Sequence, residues 1–163
     1  MSPPYPPRRF CECGGSLEYR YDLEELRKAE PLERKGFWRY APYMPEVSSV
    51  VTLGEGGTPL RKAERLSGKL GVGVYLKDET VNPTGSFRDR CASLMVSNAL
   101  DLGYSFIVSG SDGNLGASVA AYSAKAGINC TAVVPKNIDL GKLAQMIVYD
   151  AFVEEWGEST EDA

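Results

Sequence analysis

The chain has 163 residues, of which 43% are hydrophobic and 25% charged, and its formal net charge is −4. That length suits one ordinary domain, or a domain plus a small appendage, and the composition is typical of a soluble globular protein. The charge gives no electrostatic case for binding nucleic acid or an anionic membrane, and no apolar run reaches the roughly 18 residues of a membrane span. Histidine is absent, which excludes His-based catalytic triads and histidine metal sites.

Three segments are expected along the chain. Residues 1–24 are predicted to form a proline-rich tail and a shortened ribbon-like segment, 25–60 an arm or linker, and 61–163 an α/β domain that is truncated at its carboxy end. The start, "MSPPYPPRRF", lacks the apolar core of a signal peptide. The four cysteines are too scattered for a disulfide scaffold and fit a reducing compartment. We therefore expect a cytoplasmic protein.

The first third of the chain carries one helical signal, "DLEELRKAE" (22–30), in which Asp22 is expected to cap the helix. The aromatic stretch "FWRYAPYMP" (37–45) follows it. We interpret this stretch as an irregular arm whose aromatic side chains pack on the domain that follows.

From Thr58 onward the pattern alternates between helices and strands. In chain order it predicts a helix over 59–71, a strand over 73–79, a helix over 86–103, a strand over 104–110, a helix over 114–127, a strand over 128–135, a helix over 140–150 and a strand over 151–156. Such alternation indicates the α/β class, with an open parallel twisted sheet buried on both faces by flanking helices. After this the architecture looks cut off, although Glu161 and Asp162 suit the first turn of another helix.

The segment "VSGSDGNLGAS" (108–118) combines a strand, a glycine-rich turn and the start of a helix. Glycines in such a turn let the backbone approach a ligand closely, and free N–H groups at a helix N-terminus favour an anionic or polar oxygen. The spacing GxxGxxG is not that of dinucleotide-binding loops, and no GK[ST] follows, so NAD and P-loop sites are disfavoured. A plain tight turn between strand and helix explains the spacing equally well.

Two other short motifs also have structural explanations. In "GEGGTPL" (54–60), Thr58 and Pro59 suit a helix entry more than a ligand site. In "CECGG", Cys11 and Cys13 share one turn and resemble half of a zinc ribbon. A structural zinc takes four ligands, usually from two cysteine pairs, and the chain has no second pair, so zinc is the minor alternative.

The segment "NPTGSFRDR" (82–90) joins turn residues to a helix start that Ser86 is expected to cap. The apolar positions of that helix include Phe87, Leu94, Met95 and Leu100. Taken singly, these residues fit an ordinary loop followed by a capped helix.

Taken together, "CECGGSLEYRYDL", "FWRY", "GEGGTPL", "KDETVNPTGSFRDR", "SGSDGNLGAS" and "GKLAQMIVYDA" resemble the threonine synthase family of fold-type-II pyridoxal-phosphate enzymes. The motifs occur in order, at family-like spacing, and correspond to the amino-terminal part of the family protein. The resemblance implies the cofactor pyridoxal phosphate and the lyase reaction that converts O-phosphohomoserine to threonine. It also implies a possible homodimer.

The family's "GSFKDR" lysine, which forms the Schiff base with the cofactor and later shuttles a proton, corresponds to Arg88. A Schiff base needs a free amine. A guanidinium stays protonated, with a pKa above about 12, so covalent linkage of the cofactor is not expected. Lys77, in the preceding strand, is an unlikely substitute because the family also often carries lysine there.

The family's turn before the next helix implies five further site residues. Asn114 corresponds to the asparagine that hydrogen-bonds the hydroxyl of the pyridine ring. The positions that bind the substrate carboxylate are Ser111, Asp112, Gly113 and Leu115. Asp112 and Leu115 depart from the usual hydroxyl residues, and a carboxylate at position 112 repels a bound carboxylate unless it is protonated or turned away.

The resemblance leads to three hypotheses. The first is a threonine-synthase-like chain that is inactive alone, because of Arg88 and because the family's cofactor-phosphate loop lies in a carboxy-terminal half that these residues do not include. The second is a non-catalytic binding or regulatory module that pairs with a full-length enzyme or with a separate carboxy-terminal half. The third is a decayed gene product or a deliberately altered chain.

Overall fold

The computed structural model describes residues 11–18, 20–159 and 162. Its first half contains helix α1 (Leu23–Lys28), a 3-10 helix (Phe37–Tyr43), strand β1 (Leu60–Lys62), helix α2 (Glu64–Leu70) and strand β2 (Tyr75–Lys77). A single 3-10 turn (Glu79–Val81) leads into helix α3 (Arg88–Asp101), strand β3 (Phe106–Gly110), helix α4 (Asn114–Ala126), strand β4 (Asn129–Val134), helix α5 (Leu140–Val148) and strand β5 (Phe152–Glu155).

Strands β3, β4 and β5 form a parallel three-stranded sheet in that order. The register aligns Val108 with Thr131 and Thr131 with Phe152. Each strand follows a helix, as expected for parallel strands, which need a crossover connection. The predicted fold class, α/β with an open parallel sheet and flanking helices, is confirmed.

The core lies between one face of this sheet and helices α3, α4 and α5. The covered face of β4 presents Cys130, Ala132 and Val134. Helix α4 contributes an unbroken run of buried residues from Gly116 to Ser123, most of which are small. Small residues let helices and sheet approach closely, and so they allow dense packing in a short chain.

The other face of the sheet is open in the described structure. Phe106 is 50%, Val108 58% and Phe152 67% exposed. The prediction that helices bury the sheet on both faces is therefore wrong for these residues. Near-continuous apolar strands indicate burial, but they do not identify what covers each face.

The segment that was predicted as one helix over 59–71 is divided. Its first part is β1, which pairs antiparallel with β2, and only its second part is the helix α2, which ends at Gly71 in the left-handed conformation. The strand predicted over 73–79 therefore belongs to a separate two-stranded ribbon and not to the parallel sheet. The helix was predicted because Thr58 suits a cap, but the Thr58 hydroxyl instead donates a hydrogen bond to Glu79.

The predicted amino-terminal helix is confirmed as α1, and Asp22 caps it by accepting hydrogen bonds from the N–H groups of Glu24 and Glu25. The predicted aromatic arm is a 3-10 helix whose Trp38 is buried. The indole N–H of Trp38 donates to Ser93 Oγ of α3 over 2.8 Å. The arm thus packs on the α/β part, as expected.

Helix α3 begins at Arg88, two residues later than predicted, and Ser86 Oγ accepts the Arg88 N–H over 3.1 Å. Of its predicted apolar positions, Phe87 and Met95 are exposed. The buried face instead carries small residues, which are Ala92, Ser93, Val96 and Ser97. The two serines bond the arm, because Ser93 donates to the Val51 carbonyl and Ser97 accepts the Val51 N–H.

Two predictions lie outside the described residues: the proline-rich stretch at 1–10 and the acidic Glu161 of a further helix. Asp162 is described, and its carboxylate accepts hydrogen bonds from the N–H groups of Glu158 and Ser159. The three-segment division of the chain stays a prediction.

Candidate functional site

A cavity of about 260 Å³ lies between the start of α3 and the turn that joins β3 to α4. Its lining residues are Phe87, Arg88, Gly110, Ser111, Asp112, Asn114 and Leu115. The fold therefore brings together five of the six predicted site residues, which come from two separate motifs. The sixth, Gly113, is buried in the same turn.

The turn is built from the end of a parallel strand. The N–H of Ser111 donates to the Val133 carbonyl over 3.0 Å, so the sheet ladder holds the start of the turn. The Ser111 hydroxyl then accepts the N–H of Gly113 over 3.2 Å. The first backbone hydrogen bond of α4 runs from Ala117 to the Gly113 carbonyl. The N–H groups of Asn114 and Leu115 therefore have no partner among the described residues and are available to a polar ligand.

Gly116 is needed for packing behind this turn. A Cβ at this position would lie 2.6 Å from Met146 Cε and 3.3 Å from Ser111 Cβ. Met146 is fully buried, so α5 presses directly on the first turn of α4. The third glycine of the GxxGxxG pattern therefore serves helix packing, which sequence spacing alone does not reveal.

Arg88 occupies the first turn of α3 and is exposed. Its guanidinium carbon lies 4.8 Å from the centroid of the Phe87 ring, a cation–π arrangement. No ion pair joins it to Asp112 or to any other described carboxylate. The lining of the cavity thus includes one guanidinium and one carboxylate that form no ion pair with each other.

A buried polar network fixes the loop that presents Arg88. Asp89 is fully buried and accepts hydrogen bonds from the Thr84 N–H over 2.8 Å and from the Thr84 hydroxyl over 2.6 Å. The same hydroxyl lies 2.9 Å from Ser118 Oγ of α4, and the Thr84 carbonyl accepts from Gln145 of α5. Three helices therefore hold one threonine, and the loop cannot move independently of them.

The roles of Thr84 and Asp89 were not predicted from the sequence. The available signal was an acidic residue in the first turn of a helix, five positions after a threonine in a Pro-Thr-Gly turn. That pattern suggests only a favourable helix dipole, because burial at this position depends on α4 and α5, which follow later in the chain.

A second network joins "GEGGTPL" to the same loop. Arg90 donates to both oxygens of Glu79, each over 2.8 Å. Asn82 donates its amide to Glu79 and accepts the Gly56 N–H over 2.9 Å. The hydrogen bonds from Arg90 lower the pKa of Glu79 to about 2. The predicted helix entry at 54–60 is therefore wrong, since these residues are tied to Glu79 and Asn82.

Glu55 connects the glycine turn to the core. It is almost fully buried, and its Oε2 accepts hydrogen bonds from the Tyr122 hydroxyl over 2.8 Å and from Thr52 over 2.9 Å. Burial and the adjacent carboxylate strongly raise the pKa of Tyr122. Since Glu55 also accepts the Phe37 N–H at its carbonyl, one residue couples the arm, the turn and α4.

The amino-terminal cysteines lie in a turn, as predicted. Gly14 donates its N–H to the Cys11 carbonyl, and both Cys11 and Cys13 are exposed. Within residues 11–18, 20–159 and 162, no group of three or more Cys, Asp or Glu side chains is arranged to hold a metal ion. In the same part of the chain, no helix is long and apolar enough to cross a membrane.

Residues 51–163 match the family described as pyridoxal-phosphate dependent enzymes. The chain therefore belongs to this family, as its sheet, its flanking helices and the placement of its motifs also indicate. Within the family it is a homologue of threonine synthase. Threonine synthase from Methanocaldococcus jannaschii is 43% identical over 162 residues, which cover 94% of this chain and 40% of the relative.

Other proteins are similar to the chain in sequence or in structure. Threonine synthase from Methanosarcina acetivorans is 40% identical over 147 residues, covering 87% of this chain and 36% of the relative. Among solved structures, the processed form of threonine deaminase isoform 2 from Solanum lycopersicum is 28% identical with a TM-score of 0.56, covering 64% of this chain and 29% of that one. The chain thus spans less than half the length of these relatives.

The cavity around Arg88 meets the needs of pyridoxal phosphate only in part. Asn114 and the N–H groups at the start of α4 are suitable partners for polar oxygens. Among the described residues that line the cavity, the only basic side chain is the guanidinium of Arg88, and none is an amine. The lining residues therefore do not fit a covalently held cofactor.

Proposed function

We propose that this chain is a threonine-synthase homologue that does not carry out the family's covalent cofactor chemistry. The observation that supports the proposal is the position of Arg88, which lines the same cavity as Asn114 and the turn before α4. A guanidinium with a pKa above about 12 has no free amine at neutral pH. The family reaction, PLP-dependent conversion of O-phosphohomoserine to threonine, is therefore the ancestral activity in this proposal, and the chain itself has none.

Asp112 supports the same proposal from the substrate side. Its carboxylate lines the cavity at a position that corresponds to a carboxylate-binding residue of the family. Two carboxylates in one small cavity repel each other unless one is protonated. We expect this repulsion to weaken the binding of O-phosphohomoserine even if the cofactor were supplied. The chain has four free cysteines, Cys11, Cys13, Cys91 and Cys130, which favour a cytoplasmic location.

Reductive trapping tests the role of Arg88. The purified chain and its Arg88→Lys variant are each mixed with pyridoxal phosphate, reduced with borohydride and analysed by mass spectrometry and peptide mapping. We expect no stoichiometric adduct on a single residue of the wild type and an adduct at position 88 of the variant. The matched control is Arg65→Lys, which adds a lysine on the exposed side of α2 and should gain no specific adduct.

Two outcomes would contradict the role that the proposal gives to Arg88. A stoichiometric adduct on one wild-type lysine, such as Lys77, would show that a substitute amine has been recruited. Lys142 is a second residue to inspect, because its Cγ lies 3.5 Å from the position of a Cβ on Gly113. Failure of Arg88→Lys to react, with its fold intact by circular dichroism, would show that this cavity does not hold the cofactor.

As a second candidate function, we propose a non-catalytic module that pairs with another polypeptide. The open face of the sheet favours it, because Phe106, Val108 and Phe152 are side chains that proteins ordinarily bury. The partner is a second copy of the chain or a separate polypeptide that corresponds to the carboxy-terminal half of a threonine synthase.

Light scattering distinguishes these partners. The chain is measured alone and after mixing with the part of the Methanocaldococcus jannaschii threonine synthase that lies beyond its match to this chain. A dimer or a mixed complex that Val108→Asp abolishes supports the module, and Leu140→Asp, at an exposed position on α5, serves as the control. A monomer in both samples counts against it.

A further inference from the structure

A second cavity, of about 730 Å³, shares no lining residue with the cavity around Arg88. It lies where the amino-terminal arm meets the glycine turn 54–57. The proposed function does not use it, and the inference drawn from it does not depend on that function. Its size is within the range of about 300–1,000 Å³ that is usual for small-molecule sites.

The lining of this cavity is strongly basic. Four cationic side chains line it, Lys35, Arg39, Lys77 and Arg90, and no Asp or Glu does so within the described part of the chain. Positive charges without a matching anion raise the local concentration of anionic ligands. The imbalance is local, because the whole chain carries a net charge of −4.

Most of this charge is not neutralised by neighbouring groups. The side chains of Lys35 and Arg39 form no hydrogen bond or ion pair with any described residue, although the Arg39 guanidinium carbon lies 5.4 Å from the centroid of the Tyr40 ring. Lys77 Nζ donates to the Thr58 carbonyl, which is neutral. Arg90 uses Nε and Nη2 for Glu79, and its Nη1 has no hydrogen-bond partner within residues 11–18, 20–159 and 162.

The glycine turn adds a backbone donor to these cations. Gly56 and Gly57 have φ values of +83° and +63°, a conformation that L side chains rarely adopt. A Cβ on Gly56 would lie 2.5 Å from the Phe37 nitrogen and 2.9 Å from Arg90 Nη1, so the turn lies directly against both the arm and the arginine. Asn82 accepts the Gly56 N–H, whereas the Gly57 N–H has no acceptor among the described residues.

We propose that this cavity binds a small anionic ligand through a phosphate group. A phosphate dianion matches two guanidinium groups, two ammonium groups and a backbone N–H better than a single carboxylate does, because it offers more acceptor oxygens and twice the charge. The volume leaves room for an organic part beyond the phosphate, which free inorganic phosphate lacks. Free inorganic phosphate and a phosphate ester share this group, and the experiment distinguishes between the two.

The test is a titration of the isotope-labelled chain followed by the amide NMR signals of Gly36, Gly56 and Gly57. Inorganic phosphate and O-phospho-L-serine are added separately at constant ionic strength. We expect saturable shifts of these signals with both probes, and tighter binding of the ester if an organic part occupies the remaining volume. Equal affinity for both probes would show that the site recognises the phosphate group alone and that an organic part adds no contact.

A pair of double variants separates this site from general charge effects. Lys35→Ala with Arg39→Ala removes two lining cations and should weaken binding by at least about tenfold, as expected for losing charge-assisted hydrogen bonds. Arg65→Ala with Lys69→Ala removes the same charge from the exposed side of α2 and should change affinity less than about twofold. Arg88→Lys should leave phosphate affinity unchanged, which makes the outcome independent of the proposed function.

Two results would overturn the inference. One is the absence of saturable shifts in the wild-type chain with either probe. The other is an equal loss of affinity in the two double variants, which would show only a diffuse attraction to a basic surface. Circular dichroism of each variant verifies that the fold is retained, and all four substituted side chains are exposed.

Discussion

Thr84 is the residue through which three helices hold the Arg88 loop, so its hydroxyl offers a direct test of that arrangement. It donates to the fully buried Asp89 over 2.6 Å and lies 2.9 Å from Ser118 Oγ. Thr84→Val removes the hydroxyl at almost constant volume. The substitution leaves the Asp89 carboxylate with the Thr84 N–H as its remaining donor among these contacts.

The expected cost follows from these contacts. A hydrogen bond to a charged group contributes about 1.5–3 kcal/mol, and a neutral one about 0.5–1.5 kcal/mol. Thr84→Val loses one of each, so we expect the free energy of unfolding to fall by about 2–4 kcal/mol. Against a typical stability of about 5–15 kcal/mol, that loss is easily measured.

Urea unfolding at neutral pH is the assay, with Ser118→Ala as the matched control. Ser118→Ala removes the neutral hydrogen bond but leaves the Thr84 hydroxyl free to donate to Asp89, so it should cost about 1 kcal/mol. The reasoning is refuted if Thr84→Val costs less than about 1 kcal/mol, or no more than Ser118→Ala. Either result would mean that the short contact to Asp89 adds little to stability.

Two further predictions concern the other contacts near the site. Glu79 has a pKa of about 2 in the folded chain against an ordinary 4.5, so its contribution to stability is complete above pH 4.5 and is lost as the pH falls towards 2. The difference between the urea midpoints at pH 7 and pH 3 should therefore be smaller in Glu79→Gln than in the wild type. An equal difference in the two proteins would contradict this. Gly116→Ala should cost about 1–3 kcal/mol because its Cβ meets the buried Met146. A gain in stability, as helix propensity alone would give, would show that Met146 simply moves aside.

Much of the fold was predictable from the sequence because its signals are local. The alternation from residue 104 onward identified β3, α4, β4, α5 and β5, each bounded by glycine, proline or a capping aspartate. Parallel strands end at the same edge of a sheet. Arg88 does not follow such a strand, because β2 belongs to the antiparallel ribbon, so only the family motif predicted that Arg88 meets the turn after β3.

Sequence patterns did not predict the roles of residues whose partners are distant in the chain. The segment that forms β1 was predicted as part of a helix because Thr58 looks like a cap, while the actual partner of its hydroxyl is Glu79. The larger apolar residues of α3 were predicted to form its buried side. Its serines are buried instead, because they bond Trp38 and the backbone of Val51. Hydrogen-bond partners so far apart in sequence leave no periodic signal.

The contacts of the amino-terminal arm also determine at what stage of folding the arm can dock. The hydrogen bonds from Trp38 to Ser93 and from Tyr122 to Glu55 close loops of 55 and 67 residues, whereas the helices and strands of the α/β part pair with near neighbours in the chain. Closing a long loop costs conformational entropy before the contacts at its ends can form and offset that cost. We therefore expect the α/β part to fold first and the arm to dock last. Since Trp38 is buried at that junction and Trp156 is exposed, the fluorescence of Trp38 reports the final step of folding.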